Sequence, residues 1–471
     1  MSLSSFADEK SGKGLTIDKI NGALTNFYIP KMWEMIHTST PGLEFFKDLG
    51  PVVDWSGPGY KGFFKTRQKA KKGVVGGRVG RLPSAGNPTF DEPSVEYTVF
   101  RNLIQFEWDS KMRTSMERYD KLKRIIEGAV EDCGDEFRRR LNTYLYCPSN
   151  AVAVVNGAHT TTATINLKSV HTSGATAIST GTSSTGHKTN GACQYIEPGD
   201  QLLIDNGTKR AFVTVKSVQH SANTVTLETA LTANSDNAVQ DGALVYFAAA
   251  DVADNANTDD GLTAVQLEQS DRSAELLGLA NCYYGDPGAA ANYLGKTLDA
   301  GTYWHSVNEH NSGTNRALSL VLIDKMLGLM NDQRHVYPNL MIMNTGMFHE
   351  FNDLSEKNHA FFNQGDLPGG HSPQVRKKYF TVKTTMAQGD LDILVDKYAP
   401  MEQITVVDSQ SCGYANVYKE AEAKEDGSFL RHSDSDYDVW HGWTRWAGQF
   451  FSMSPAAVGR LNDITQDIRN L

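Results

Sequence analysis

The sequence has few cysteines, no long apolar run and no excess of positive charge, and each absence excludes a class of protein. Its 471 residues include five cysteines and no C-x-x-C pair, so we predict buried thiols in a reducing compartment, without disulfides or a zinc site. The longest apolar run is residues 243–250, far short of the roughly 20 residues of a membrane span. Residues 1–10 lack the apolar segment of a secretory signal. No membrane partner is expected.

The charge is negative overall but unevenly distributed. The net charge of −10 argues against a protein that wraps nucleic acid with its whole surface. Residues 55–90 nevertheless carry eight basic side chains and no acidic one, which leaves −18 on the rest of the chain (−10 minus +8). The basic residues are Lys61, Lys65, Arg67, Lys69, Lys71, Lys72, Arg78 and Arg81.

This basic segment has the pattern of an extended hairpin. Its centre, residues 73–80, is glycine-rich, and strand-like patterns stand on both sides of it. A two-stranded excursion has too small an apolar face to fold alone. We predict that it docks on the acidic surface of an identical neighbouring chain. Neutralisation of nucleic-acid phosphates is the alternative, although few aromatic residues flank the segment for base stacking.

A long amphipathic helix is predicted over residues 110–146, where apolar residues recur at spacings of three and four. Roughly 32 residues at about 1.5 Å each give a rod of about 48 Å, which is long for a compact domain. Its predicted core residues are Met116, Leu122, Ile126, Val130, Phe137 and Leu141.

The remainder of the chain alternates between β-rich and mixed segments. Residues 158–250 contain a run of strand patterns without a helical stripe, which predicts a small β-domain of barrel or sandwich type. Helical patterns follow at 264–280 and 315–331, and strand patterns at 340–343, 391–395 and 404–407.

Incomplete motifs argue against a catalytic or metal site. The letters GKT at 295–297 end like a phosphate-binding loop, but Ala290 stands where its first glycine is required. His349 begins an H-E-x-x-H pattern, but Asp353 replaces the second histidine. We therefore predict no catalytic residues, no metal and no cofactor.

The order of these segments resembles the major capsid proteins of tailed bacteriophages with the HK97-type fold. The basic hairpin is similar to the family's E-loop, and the long helix to its spine helix. The letters GTYW at 301–304, YPNLMIMN at 337–344 and DLDILVDKYAPMEQITVVD at 390–408 look like the family's recurring strands and loop. The resemblance covers most of the chain.

The resemblance implies an α+β, HK97-like capsid fold with an inserted all-β domain. The implied divisions are an N-terminal arm (1–56), the E-loop hairpin (57–101), a peripheral domain with the spine helix (102–157), the inserted β-domain (158–250), an axial domain (251–385), and remaining peripheral and axial strands with the C-terminus (386–471).

The resemblance also implies a structural protein whose pentamers and hexamers form an icosahedral shell around phage double-stranded DNA. The implied partners are other copies of this chain, a separate scaffolding protein, a portal, and a decoration protein on the insertion. The DNA would be contacted weakly. The shell would assemble in the bacterial host cytoplasm and end in the virion.

Two other interpretations of the function remain open. An encapsulin-like compartment shell would have the same fold. A carbohydrate-active enzyme could use the β-domain together with Trp440, Trp443 and Trp446, although tryptophans more often belong to the core.

Overall fold

The structure is a computed structural model of the whole chain. It describes residues 41–48, 61–63, 94–96, 98–107, 119–159, 162–174, 183–207, 209–231, 239–249, 270–271, 276–284, 292–294, 296–297, 305–359, 379–383, 390–421, 431–432 and 439–466.

Five α-helices and twenty β-strands lie in these residues. The helices are α1 (Pro41–Asp48), α2 (Tyr119–Tyr146), α3 (Leu279–Tyr284), α4 (Leu320–Arg334) and α5 (Thr345–His359). The first eleven strands are β1 (Lys61–Phe63), β2 (Ser94–Glu96), β3 (Thr98–Glu107), β4 (Ala153–Val155), β5 (Thr164–Ser169), β6 (Gln201–Asp205), β7 (Arg210–Gln219), β8 (Thr224–Leu227), β9 (Leu244–Phe247), β10 (Asn292–Tyr293) and β11 (Lys296–Thr297). The others are β12 (Val307–Glu309), β13 (Leu340–Met343), β14 (Tyr379–Lys383), β15 (Asp390–Val395), β16 (Ile404–Val407), β17 (Cys412–Ala421), β18 (Arg431–His432), β19 (Val439–Ser452) and β20 (Val458–Leu461).

A closed barrel occupies the part of the chain with the predicted run of strands. Its strands follow each other in the order β4-β5-β8-β7-β6-β9. The alternation along β5 places Ile165 and Leu167 inside, with Thr164 and Asn166 exposed. Closure pairs the backbone groups that an open sheet would leave at its edges.

A six-stranded sheet in the order β12-β20-β16-β13-β15-β14 forms a second unit, with both parallel and antiparallel pairs. Alternate residues of β13 belong to two different apolar clusters, Leu340 and Ile342 to one and Met341 and Met343 to the other. The second cluster also contains side chains of α4 and α5. The sheet is therefore a middle layer with an apolar face on each side, as continuous apolar strands require.

The third sheet is built around β19, a strand of 14 residues. One edge of β19 pairs with β3 and the other with β17 and β18, all antiparallel. Trp446 of β19 is completely buried in the same apolar cluster as the barrel and α2. This agrees with the core assignment of that tryptophan; the side chains of Trp440 and Trp443 lie outside the described residues.

Helix α2 runs for 28 residues, about 42 Å at 1.5 Å per residue. It ends at Tyr146, and Pro148 follows in a short 3-10 turn, because proline cannot continue a helix. β4 then begins at Ala153, so the chain passes from the helix almost directly into the barrel. The predicted beginning of this helix, at 110–118, lies outside the described residues.

Two predicted helices have different bounds in the structure. In the 264–280 segment, Ser270 makes an isolated bridge with Ala248, and α3 begins only at Leu279. In the 315–331 segment, Arg316 bridges Ile464 beside the sheet, and α4 begins after Ser319, whose side chain caps it. Tertiary pairing thus replaced local helical preference at both positions. The described residues contain both helices and sheets, and α4 and α5 alternate along the chain with strands of the six-stranded sheet.

Candidate functional site

The strand pair β1–β2 joins the two ends of the basic segment. Lys61 is opposite Glu96 and Phe63 is opposite Ser94 in an antiparallel register. The chain therefore leaves this pair after residue 63 and returns to it at residue 94. Of the eight predicted hairpin cations, only Lys61 lies in a described strand; Lys65, Arg67, Lys69, Lys71, Lys72, Arg78 and Arg81 lie outside the described residues.

The predicted core residues of the long helix divide into three groups. Val130, Phe137 and Leu141 are buried in the main apolar cluster. Leu122 and Ile126 lie within α2, but their side chains are outside the described part, and Met116 precedes the described helix.

Two arginines fix the second half of α2 to its surroundings. Arg139 donates to Glu197 at 3.0 Å and to Asp200 at 2.5 Å, both in the loop before β6. Arg140 donates to Asp271 at 2.8 Å and to the carbonyl oxygen of Ala248 at 3.2 Å. The helix is thereby bound to the barrel on one side and to the chain leaving the barrel on the other.

These arginines form one partly buried charge network. Their guanidinium carbons lie 4.9 Å and 5.3 Å from the ring centre of Phe247, within range of a cation–π contact. Burial acts to raise the pKa of Glu136, but Arg140 and Arg139 outweigh it and lower that pKa. The Glu136 carboxylate thus stays charged, and this half of α2 is held by ionic as well as apolar contacts.

A buried carboxyl group joins three separate parts of the chain. Asp396, which follows β15, accepts hydrogen bonds from the Gly42 backbone N–H, the Asn142 side chain and the Tyr146 hydroxyl. It also accepts from the Tyr398 N–H at 3.0 Å. Burial raises the pKa of Asp396, although the four hydrogen-bond donors act to lower it. The group connects α1 and α2 to the six-stranded sheet.

The barrel meets the six-stranded sheet through buried polar groups. Lys188, 3% exposed, donates to the carbonyl oxygens of Met401 and Glu402 at 3.1 and 3.0 Å. Arg460 of β20, 1% exposed, donates to those of Thr172 and Gly174 at 3.3 and 2.9 Å. We call this contact the barrel–sheet junction, formed by residues 169–174 and 187–195 on the barrel side and 397–403 and 460–463 on the sheet side.

Asp463 completes the junction. Its carboxylate accepts from the backbone N–H groups of Gly174, Asn311 and Gly313 at 2.8–2.9 Å. Burial acts to raise the pKa of Asp463, but the three backbone donors and Lys188 lower it overall. Asp463 itself has a left-handed backbone, with φ of 57°. One side chain thus fixes a barrel loop and the loop after β12.

A small cavity lies between α1, α3 and the β17–β19 sheet. Its volume is about 10 Å³, room for about one water molecule. The lining residues are Phe46, Leu145, Leu277, Gly278, Leu279, Cys282, Tyr293, Cys412, Gly413, Phe450, Phe451 and Ser452. This cavity cannot hold a sugar or a cofactor.

The other candidate chemical groups of the sequence are the cysteines and the incomplete metal and phosphate motifs. All five cysteines are buried, as predicted, and none forms a disulfide. Burial raises the pKa of Cys193 and Cys412 to about 12. Within the described ranges, no group of three or more His, Cys, Asp or Glu side chains could hold a metal ion. Lys296 and Thr297 lie in the β10–β11 hairpin. No helix in the described part is long and apolar enough to cross a membrane.

Sequence reasoning missed Asp396, Lys188, Arg460 and Asp463. The partners of Lys188 are 213 and 214 positions away in the chain, and those of Arg460 are 288 and 286 positions away. Arg460 stands in a strand whose four residues are all buried, and a single arginine there carries no local signal of its partners.

Comparison with known proteins gives structural matches only. No protein-family model and no curated protein matches the sequence. A chain of the cyanophage A-1(L) capsid asymmetric unit is 13% identical, with 91% of this chain and 93% of that chain covered and a TM-score of 0.43. A chain of the satellite phage P4 procapsid including its size determination protein is 8% identical, with 93% and 98% covered and a TM-score of 0.35.

A third match is a chain of the capsid of a native GTA particle, 8% identical, with 91% of both chains covered and a TM-score of 0.36. Because all three TM-scores are below 0.5, this likeness does not itself decide the fold. Over about nine-tenths of its length, the chain is similar to phage capsid proteins.

Proposed function

We propose that this chain is the major capsid protein of a tailed bacteriophage with an HK97-like fold. The single observation that supports it best is the β1–β2 pair, which closes the base of a basic segment shortly before a helix of 28 residues. In a shell subunit, a basic excursion between paired strands and a stiff rod would serve lateral contacts with neighbouring copies.

The proposed divisions keep the predicted boundaries. Residues 1–56 are the arm, 57–101 the E-loop hairpin, 102–157 the peripheral domain, 158–250 the inserted β-domain, 251–385 the axial domain, and 386–471 the remaining strands and C-terminus. The first barrel strand, β4 (Ala153–Val155), lies just before the boundary at 158, at the end of the peripheral division. The direct passage from α2 into β4, and the pairing of β4 with the last barrel strand β9, support an insertion whose entry and exit are neighbours.

Assembly follows from charge and burial. A segment with eight cations and no acid, on a chain otherwise at −18, is attracted to the acidic surface of another copy. The hairpin gains its burial there, so assembly stabilises its fold. Pentamers and hexamers of one chain would then close an icosahedral shell. The net negative charge fits weak contact with packaged double-stranded DNA.

The proposed partners are a scaffolding protein, a portal and a decoration protein on the barrel. The shell would assemble in the bacterial cytoplasm and become part of the virion. Such a structural role requires no enzyme activity.

The test is assembly of the purified chain, followed by light scattering and negative-stain imaging with and without lysate of infected cells. We expect rings or polyhedral shells. Replacing Lys65, Arg67, Lys69, Lys71 and Lys72 with glutamine should leave soluble subunits that form at least about tenfold fewer shells, because the docking attraction is lost.

Lys216→Gln is the matched control, since Lys216 is exposed on the barrel outside the hairpin, and it should assemble normally. Normal shells from the five-residue variant would contradict hairpin docking. A compact monomer of the unaltered chain under both conditions would contradict the shell itself and favour an enzyme.

A further inference from the structure

A short segment after β20 is buried although it belongs to no helix and no named strand. Of residues 462–466, only Thr465 is exposed, and the other four are at most 7% exposed. Arg316 pairs with the backbone of this segment, since its N–H donates to the Asp463 carbonyl at 2.9 Å and its carbonyl accepts from the Thr465 N–H at 2.8 Å. Ile464 is the one apolar residue among the five. The segment is therefore held mainly by hydrogen bonds.

The near end of the segment joins the barrel to the loop after β12. The Asn462 side chain donates to the carbonyl oxygens of Thr172 and Gly174 in the barrel loop, at 2.9 and 3.2 Å. The Asp463 carboxylate accepts from the backbone N–H of Gly174 and from two N–H groups of the loop after β12. A Cβ at Gly174 would lie 3.3 Å from the backbone nitrogen of Gly313. The two loops therefore pack directly against each other beside the segment.

The far end of the segment is fixed to the sheet and to α5. The Gln466 Oε1 atom accepts from the backbone N–H of Glu402 at 2.9 Å and from the side chain of Asn344 at 3.2 Å. A Cβ at Gly346, in the first turn of α5, would overlap the Gln466 side chain. These partners lie on the sheet side of the barrel–sheet junction, so the segment is attached to the barrel at one end and to the sheet at the other.

The two loops that Asp463 holds have backbone conformations that need support. Gly174 and Gly313 have φ of 62° and 86°, and Ser312 has φ of 54°, a region that is unfavourable for a residue with a side chain. One carboxylate accepts from both loops. When this carboxylate leaves, both loops lose their acceptor at the same moment. The segment and the two loops are thereby coupled.

We propose that residues 462–466 form a clasp, which closes over the barrel loop 172–174 and the loop 310–316 as one cooperative unit and opens while the strands of the barrel and the sheet stay folded. Hydrogen bonds contribute less net stability than the burial of an apolar cluster, so the clasp opens at a lower free energy than the strands. The barrel then stays attached through Lys188, which donates to the carbonyl oxygens of Met401 and Glu402. Closing the clasp fixes the barrel on the sheet within the single chain.

The test is native-state hydrogen–deuterium exchange of the full chain in increasing low urea, corrected for intrinsic rates. We expect peptides covering 172–174, 310–316 and 462–466 to show one opening free energy and one urea dependence. Their exchange should be at least about tenfold faster than that of peptides from β6 and β13. Different opening free energies in the three clasp peptides, or the same value as in β6 and β13, would overturn the proposal.

A variant at the sheet end of the clasp tests the coupling to the barrel. Gln466→Ala should speed exchange by at least about tenfold in all three clasp peptides, the barrel loop included, because two donors lose their acceptor. Thr465→Ala, at the exposed position of the same segment, is the matched control and should change little. Should Gln466→Ala fail to fold, Asp463→Asn, which keeps one acceptor oxygen, should also accelerate all three. Acceleration confined to one clasp peptide in either variant, or an equal effect of Thr465→Ala, would contradict the clasp.

Discussion

At the scale of single residues, the long-range order of this chain depends on a few buried polar side chains. Asp396 joins α1 and α2 to the sheet, and Asp463 joins a barrel loop to the loop after β12. Each carboxylate accepts hydrogen bonds from several donors, and these bonds offset the free-energy cost of burying it. Removing such an acceptor leaves its donors unpaired, a loss greater than that of one exposed hydrogen bond.

Asp463→Ala should lower the free energy of unfolding by about 3 kcal/mol or more, because three backbone N–H groups lose their acceptor. Alanine is also less suited than aspartate to the left-handed backbone at this position. Asp463→Asn, which tolerates that backbone and keeps one acceptor, should lose less. Urea denaturation of both variants measures the difference.

The pH dependence gives a second measurement on the same variant. Since the folded pKa of Asp463 is lowered, its contribution is present above the unfolded value of about 3.9 and is lost as the pH falls through the folded pKa. The difference between wild type and Asp463→Ala should therefore shrink below about pH 4. The control is Asp332→Ala, at an exposed position of α4, which should cost little at any pH. A cost at Asp463 no larger than this control would refute the anchor role.

Residue-scale features were the least predictable. The burial of the cysteines follows from their number and spacing, because an unpaired thiol behaves as a small apolar group. Lys188 and Arg460 have no such signal. Each donates to backbone carbonyl oxygens. Every residue has a backbone carbonyl oxygen, so the sequence does not indicate which ones are bound.

At the scale of elements, α2 was predictable because its apolar spacing persists over many turns. Its end was equally clear, since Pro148 follows. The helix expected at 264–280 was wrong at 276–278, where the chain packs against the end of α2. A Cβ at Gly278 would overlap the carbonyl oxygens of Tyr144 and Leu145. Close approach between backbones, rather than local propensity, decides the structure there.

Two glycine substitutions test the helix propensity of α2 and its close backbone contact with Gly278. Gly278→Ala should destabilise the fold by about 1–3 kcal/mol through overpacking. Gly128→Ala, within α2 and with open space around the added methyl group, should stabilise it by about 0.5–1 kcal/mol, because alanine is the better helix former. Thermal and urea unfolding of the pair would show opposite shifts. Equal effects from both substitutions would contradict the close contact at Gly278.

At the scale of the whole molecule, the described residues bury two apolar clusters on opposite faces of the six-stranded sheet. The larger contains the barrel interior, the second half of α2 and part of β19. The smaller contains α4, α5 and the other sheet face. The barrel therefore shares its apolar core with the long helix and is more than a tethered module.

We expect the barrel and the second half of α2 to unfold together. Native-state hydrogen exchange in increasing urea should give amides of β6, β7 and 130–146 the same opening free energy and the same urea dependence. Barrel amides that open at lower urea than those of α2 would contradict the shared core.

The proposed shell links these scales. In the proposed shell, the hairpin cations and the length of α2 would act through contacts with other copies of the chain. Their effect is measured by the assembly of the five-residue hairpin variant beside Lys216→Gln, rather than by the stability of one chain.

The sequence by itself determined the features that depend on neighbouring residues: the long helix, the run of barrel strands, the strands at 340–343 and 404–407, and the concentration of charge at 55–90. Helical and strand periodicity are local, so consecutive residues are enough to predict these features. The tertiary structure alone decided the closed order of the barrel, the two-sided sheet and the partners of Asp396, Lys188, Arg460 and Asp463. These contacts join residues up to 354 positions apart. Their stability comes from burial and mutual hydrogen bonding, which no local sequence pattern predicts.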